Sequence, residues 1–99
     1  MDSIPRLKKQ LPNIEEIRRK VNLLNVSTSL QKTIRTILED LKKEGFQFQM
    51  IDADYEQLLA KRFEVKSVPT FILIENEKEI KRITGAQTKK SLLEFIENE

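Results

Sequence analysis

The sequence predicts an α/β domain: a four-stranded mixed sheet with helices on both faces. Three observations carry this. The most apolar stretch, Val68-Pro69-Thr70-Phe71-Ile72-Leu73-Ile74, has the length of a strand and lacks alternation, as a strand buried on both sides does. Short apolar segments alternate along the chain with segments whose apolar residues recur every three or four positions, as successive β and α units require. The chain has 99 residues, which suits one domain around one core.

Ser3 to Leu11 reads as a short first helix, with Ser3 as cap and Pro5 in the first turn, where a missing N–H is harmless. Pro12 breaks it. Asn13 with Glu16 three residues later reads as a new cap and capping-box partner, and Ile14 and Ile17 give that second helical piece an apolar side. Val21 to Val26 is short and mostly apolar, a buried strand. Ser27, Thr28 and Ser29 all suit a helix cap. After them Leu30, Ile34, Ile37, Leu38 and Leu41 form one helical stripe, which Gly45 ends.

Phe46 to Met50 alternates with period two, and the strand is placed over 46–51. Asp54 is placed as the cap of a helix whose inward members are Tyr55, Leu58, Leu59 and Phe63. Pro69 sits at the start of the apolar strand, since it has no N–H to give the ladder. Glu75 to Lys78 is a polar turn, Glu79 to Thr84 the second arm of a hairpin, and Thr88 caps a last helix carrying Leu92, Phe95 and Ile96 on one face. Four strands are expected, 21–26, 46–51, 68–74 and 79–84. The first two, joined by a helix, are parallel with a right-handed crossover, and the last two are an antiparallel hairpin.

Composition excludes several kinds of chemistry. The chain has no Cys and no His. Thiolate nucleophiles, disulfides, imidazole bases and the usual zinc ligands are therefore missing. Asp52, Asp54 and Glu56 are too few, without a shaped loop, for a hard cation, so no metal and no cofactor is expected. The two glycines leave no phosphate-cradling loop. No apolar run has membrane-spanning length and no signal-peptide core is seen, so no membrane partner is expected and the cytoplasm is the expected compartment. The net charge is only +2, but basic residues crowd the first twenty positions: Arg6, Lys8, Lys9, Arg18, Arg19 and Lys20. A solvated face explains them better than nucleic acid does, because no aromatic residue is interleaved with them.

This layout, with its punctuation, resembles the thioredoxin-like fold, a three-layer sandwich, over roughly residues 20 to 97; residues 1–19 form an N-terminal helical segment of the same single domain, 1–99. The resemblance is strongest over Ala60 to Leu73, which is similar to the family's passage from a helix into its cis-proline strand. Gly85-Ala86 follows at the family's spacing. Ile37-Leu38-Glu39-Asp40-Leu41 and Ile51-Asp52-Ala53-Asp54 match further segments. The extra strand with which the family usually opens is expected to be absent, and the resemblance then implies the strand order 46–51, 21–26, 68–74, 79–84.

The resemblance implies a place for the family's two-cysteine motif, Thr28-Ser29-Leu30-Gln31, preceded by Ser27 instead of tryptophan. It also sets the family's buried acid at Asn22 and that acid's lysine neighbour at Met50. Thiols and supporting charges are thus missing together. What remains is a docking surface expected at Ser27, Thr28, Ser29, Leu30 and Gln31 with Val68, Pro69 and Thr70, where the family holds its substrates beside a cis-proline. The expected function is a redox-inactive, non-enzymatic module that binds a protein or peptide. The alternatives are a non-redox enzyme of the same fold, such as a glutathione-binding transferase with Thr28 as hydroxyl donor, or binding of an anionic partner through the basic N-terminal segment.

Overall fold

The computed structural model describes residues 14–28 and 32–98. In chain order they form α1 (Ile14–Lys20), β1 (Leu23–Ser27), α2 (Lys32–Lys43), β2 (Phe48–Asp52), α3 (Gln57–Arg62), β3 (Thr70–Glu75), β4 (Lys78–Thr84) and α4 (Lys89–Glu97). The expected helix over Ser3–Leu11, its break at Pro12 and the cap at Asn13 lie outside the described residues.

The four strands run in the order β2-β1-β3-β4. β1 is parallel to β2, with Leu23 opposite Phe48 and Ser27 opposite Asp52. β1 is antiparallel to β3, and β3 to β4. This is the order and the mixed orientation that the sequence predicts.

Element ends shift for reasons visible in the hydrogen bonds. Val21 donates to the Ile17 carbonyl at 3.1 Å and so closes α1 rather than opening β1. Phe46 donates to the Leu41 carbonyl at 3.2 Å and Gly45 to that of Lys42 at 3.0 Å, so both finish α2 and β2 starts two residues later than expected. Gly45 has φ +103°, a value that lets the chain turn out of the helix and that a side chain would strain. The hairpin turn is only Asn76-Glu77, both with positive φ, so β3 and β4 reach to Glu75 and Lys78. A register shift at Leu73/Ile74 leaves Ile80 of β4 without an opposite residue, and this bulge puts an apolar side chain on the surface.

The third helix differs most. Asp52, not Asp54, organises the turn ahead of it: its carboxylate accepts from the Asp54 N–H at 2.8 Å and its carbonyl from the N–H of Glu56 at 2.8 Å. The helix therefore begins at Gln57 without a side-chain cap. Tyr55 falls in the turn and is 84% exposed, and Leu58 points outward at 65% exposed, so neither joins the core as expected. Leu59, Ala60 and Phe63 form the inward side instead.

Alternation along the inner strands divides the core in two. Leu24 and Val26 of β1 and Ile72 and Ile74 of β3 pack on one face with Ile17 of α1, Leu59 and Ala60 of α3 and Phe63. Leu23 of β1 and Phe71 of β3 pack on the other with Ile34, Leu38 and Leu41 of α2 and Leu92 of α4. Thr88 caps α4 as predicted, in a reciprocal box with Ser91. Leu38 and Ile72 are fully buried, one in each cluster. Each truncation, Leu38→Ala and Ile72→Ala, is expected to lower unfolding free energy by about 2–5 kcal/mol in urea titrations. A change within about 0.5 kcal/mol at both, as at ordinary surface positions, would contradict this core.

Candidate functional site

β1 ends and β3 begins at the same edge of the sheet, because the two are antiparallel neighbours with Val26 opposite Thr70. The loop leading into β3 therefore lies beside the segment that leaves β1. The Val68–Pro69 peptide bond is cis. Pro69 has no N–H, but its carbonyl accepts from the Gly85 N–H at 2.8 Å, which ties this loop to the end of β4. Gly85 has φ +104°, so the crossing strand end turns where a β-carbon would be strained.

A buried polar network holds the loop from beneath. Asn25, with no exposed surface, donates from Nδ2 to the Thr70 carbonyl at 3.3 Å. Ser27, 2% exposed, donates from Oγ to Asn25 Oδ1 at 2.8 Å. Thr70, also 2% exposed, donates from Oγ1 to the Ser67 carbonyl at 2.7 Å. Each polar group placed between the two sheet faces thereby finds a partner, as burial requires. The Ser27 carbonyl accepts from the Ala53 N–H at 2.8 Å, joining the same region to the end of β2.

On its other side the loop is fixed by Arg82 of β4. Its guanidinium donates to the carbonyls of Phe63 at 2.9 Å and Glu64 at 3.2 Å, the last groups of the α3 turn. It also makes a two-point pair with Glu79, Nε to Oε2 at 2.6 Å and Nη2 to Oε1 at 2.7 Å. The guanidinium's hydrogen bonds hold the Glu79 carboxyl below its ordinary pKa, and Glu79 in turn raises that of Arg82.

Of the residues expected at a docking surface, Ser29, Leu30 and Gln31 lie outside the described residues. Ser27, Pro69 and Thr70 are buried and build the site from within, while Thr28 and Val68 are half-buried at its surface. Beside Val68 is a cavity of 250 Å³, walled by Ala53, Gln57, Lys61, Val65 and Lys66. Asn25 was missed by sequence reasoning, although an amide within a strand expected to be buried was a signal of it. Met50 faces Asn25 in the β1–β2 register, whereas Asn22 precedes β1 and accepts the Gln47 N–H at 2.8 Å. The position inferred for the family's buried acid is thus three residues away from the residue that meets Met50.

Comparison with known proteins gives a consistent answer. A sequence model of the thioredoxin family matches residues 25–98. Monothiol glutaredoxin-4 of Saccharomyces cerevisiae is 29% identical over 72 residues, 71% of this chain and 30% of that protein. The thioredoxin of Mycobacterium tuberculosis is 34% identical over 65 residues, 63% of this chain and 56% of that one. The chain thus spans less than two thirds of either curated relative. Among solved structures, mitochondrial thioredoxin 3 of Saccharomyces cerevisiae superposes with a TM-score of 0.71 at 26% identity, covering 89% of this chain and 92% of that one. Plasmodium falciparum thioredoxin, at 21% identity and a TM-score of 0.70, covers 83% of this chain and 88% of its own and shows the fold alone.

Two stability measurements test this construction. Asn25→Asp puts a carboxyl where an acceptor, the Thr70 carbonyl, already stands and water is excluded. Its folded pKa is expected to rise above the unfolded value of about 3.9. The variant should then approach parental stability below about pH 4 and lose about 1.4 kcal/mol per pH unit as pH rises toward the folded pKa. Urea titrations at pH 4 and pH 7 that show no such slope would contradict the buried network. Glu79 acts in the opposite direction: its lowered pKa adds stability above the unfolded carboxylate range and loses it as pH falls through the folded value. Arg82→Met should reduce that acid sensitivity and destabilise at neutral pH, measured by the same titrations.

Proposed function

The chain belongs to the thioredoxin family, and we propose that it is a redox-inactive member that docks an extended segment of a partner protein beside the Val68–Pro69 loop. The observation that carries this reading is the pairing of an ordered loop with a complete lack of thiols. None of the 99 residues is Cys, and thiol–disulfide exchange needs a thiolate to attack and a second thiol to leave. Yet the loop is tied down by Asn25, Thr70, Gly85 and Arg82. A fixed backbone at Val68 presents N–H and C=O groups to a strand-like ligand at little ordering cost. The cavity walled by Ala53, Val65 and Val68 takes an apolar side chain of that ligand, and Lys61 and Lys66 stand at its margin.

On this reading the domain binds and does not turn over a substrate. No helix among the described residues is long and apolar enough to cross a membrane.

The purified protein is expected to reduce insulin disulfides with dithiothreitol no faster than the reagent alone. Rate enhancement above that blank would overturn the redox assignment. Docking is tested separately by placing a photo-crosslinking residue at exposed positions that leave the core intact. Crosslinks to one host polypeptide from Gln57 and Lys66, and none from Lys78 at the far end of the sheet, are expected. Crosslinks from Lys78 alone would place the partner elsewhere.

A further inference from the structure

The sheet end opposite the Val68–Pro69 loop holds a second and larger concavity, 590 Å³ in volume, between the last turn of α1 and the β3–β4 hairpin turn. Its charged lining has two signs: Arg18, Arg19 and Lys20 come from α1, and Glu75 and Glu77 from the hairpin. Asn22, Gln47 and Asn76 add amides, and Val21 and Ile74 an apolar part. A volume of this size falls in the range of about 300–1,000 Å³ usual for small-molecule sites.

The cations are not equally committed. Lys20 pairs with Glu16 at 3.3 Å. Arg19 is exposed and has no ion pair among the described residues. Arg18 is steered by an aromatic ring, its guanidinium carbon 5.8 Å from the centroid of Phe63. Its Nε is shielded from solvent and finds no acceptor among the described residues. Glu79 feels the Arg18 charge, but both its oxygens are given to Arg82. No carboxylate among the described residues thus neutralises Arg18 or Arg19 across the cavity they line.

The hairpin supplies an independent observation. Asn76 and Glu77 have φ of +53° and +67°, the two left-handed central residues of a tight hairpin turn. Glycine suits the second of these positions best, because a β-carbon there is strained. This chain instead carries a carboxylate that lines the cavity. Glu77 thus stands at some conformational expense facing a cationic wall with which it makes no ion pair among the described residues.

We propose that this cavity binds a phosphate monoester of a polyhydroxylated small molecule, with the phosphate on Arg18 and Arg19 and the hydroxyls on Glu75 and Glu77. Guanidinium groups match phosphate oxygens in a two-point fork. Bare phosphate leaves the two carboxylates unexplained, since they repel it. An uncharged polyol leaves the arginines unexplained. A continuous polyanion such as a nucleic acid is disfavoured for the same reason, because the acidic wall interrupts its path. The site shares no residue with the docking loop, so the two readings stand or fall separately.

The test follows backbone amide shifts by NMR as the whole 99-residue chain is titrated with ribose-5-phosphate, AMP, ribose and inorganic phosphate at constant ionic strength. Both esters are expected to give saturable shifts in residues 18–22 and 74–77, ribose none, and inorganic phosphate binding weaker by about tenfold or more. Tighter binding of AMP supports a nucleotide as the natural ligand, and tighter binding of ribose-5-phosphate a sugar phosphate. The double variant Arg18→Gln, Arg19→Gln should lose about tenfold or more in affinity for the esters. Glu77→Gly relieves the turn, so it should fold at least as stably as the parent, judged by urea titration, while weakening the esters and not inorganic phosphate. Equal affinity for phosphate and its esters, an unchanged Glu77→Gly affinity, shifts confined to other surfaces, or no saturation by either ester at about 1 mM would each overturn the proposal.

Discussion

β1 and β3 lie side by side in the middle of the sheet with helices packed on both faces, so neither strand has a solvent side. That constraint governs the rest of the molecule. Every side chain on these strands must be apolar or hydrogen-bonded, because a buried polar group without a partner costs about 1–3 kcal/mol. β1 and β3 satisfy the rule with seven apolar residues, Leu23, Leu24 and Val26, and Phe71 to Ile74. Glu75 is exposed where β3 enters the hairpin; the three buried exceptions, Asn25, Ser27 and Thr70, gather at the other end and bond to one another or to the loop entering β3. Polarity inside the sheet is thus confined to the place where it fixes the loop.

The same constraint explains what the sequence revealed. A strand buried on both sides must read as an unbroken apolar run, and Val68 to Ile74 did. The stripes of α2 and α4 were equally plain, because a long helix on a sheet needs an apolar seam repeated over several turns. The parallel first pair and the closing hairpin followed from the connecting lengths, and the full strand order from the family resemblance. Short elements were harder to read. α3 has six residues, so one misplaced cap rotates its whole pattern, and the apolar look of Tyr55 and Leu58 outweighed the turn chemistry of Asp52. Strand starts moved by two residues where a helix end kept Val21 or Phe46 in a backbone hydrogen bond, which side-chain pattern does not disclose.

The site was legible in part. Its location followed from Pro69 and the family resemblance, but its internal support did not. Asn25 reaches a carbonyl 45 residues away, and Arg82 reaches carbonyls 18 and 19 residues away, contacts that no local pattern encodes. The β1–β2 register shows that Asn25, not Asn22, meets Met50, a pairing across strands that spacing along the chain does not disclose.

A neutral amide at Asn25 has a chemical consequence that fits the lack of thiols. Beside a thiolate, a buried acid can take up and release a proton, and the strain of burying its charge serves the exchange. Without a thiolate that charge would be only a cost, since a desolvated carboxylate facing a carbonyl is unstable. An amide donates to the Thr70 carbonyl and accepts from Ser27 with no charge to bury. The side chains of the buried network below the loop, Asn25, Ser27 and Thr70, are thus all uncharged. At the other end of the sheet Arg18 and Arg19 line an open cavity together with Glu75 and Glu77. The fold thus separates the buried uncharged network, at one end of the sheet, from the cavity of mixed charge at the other.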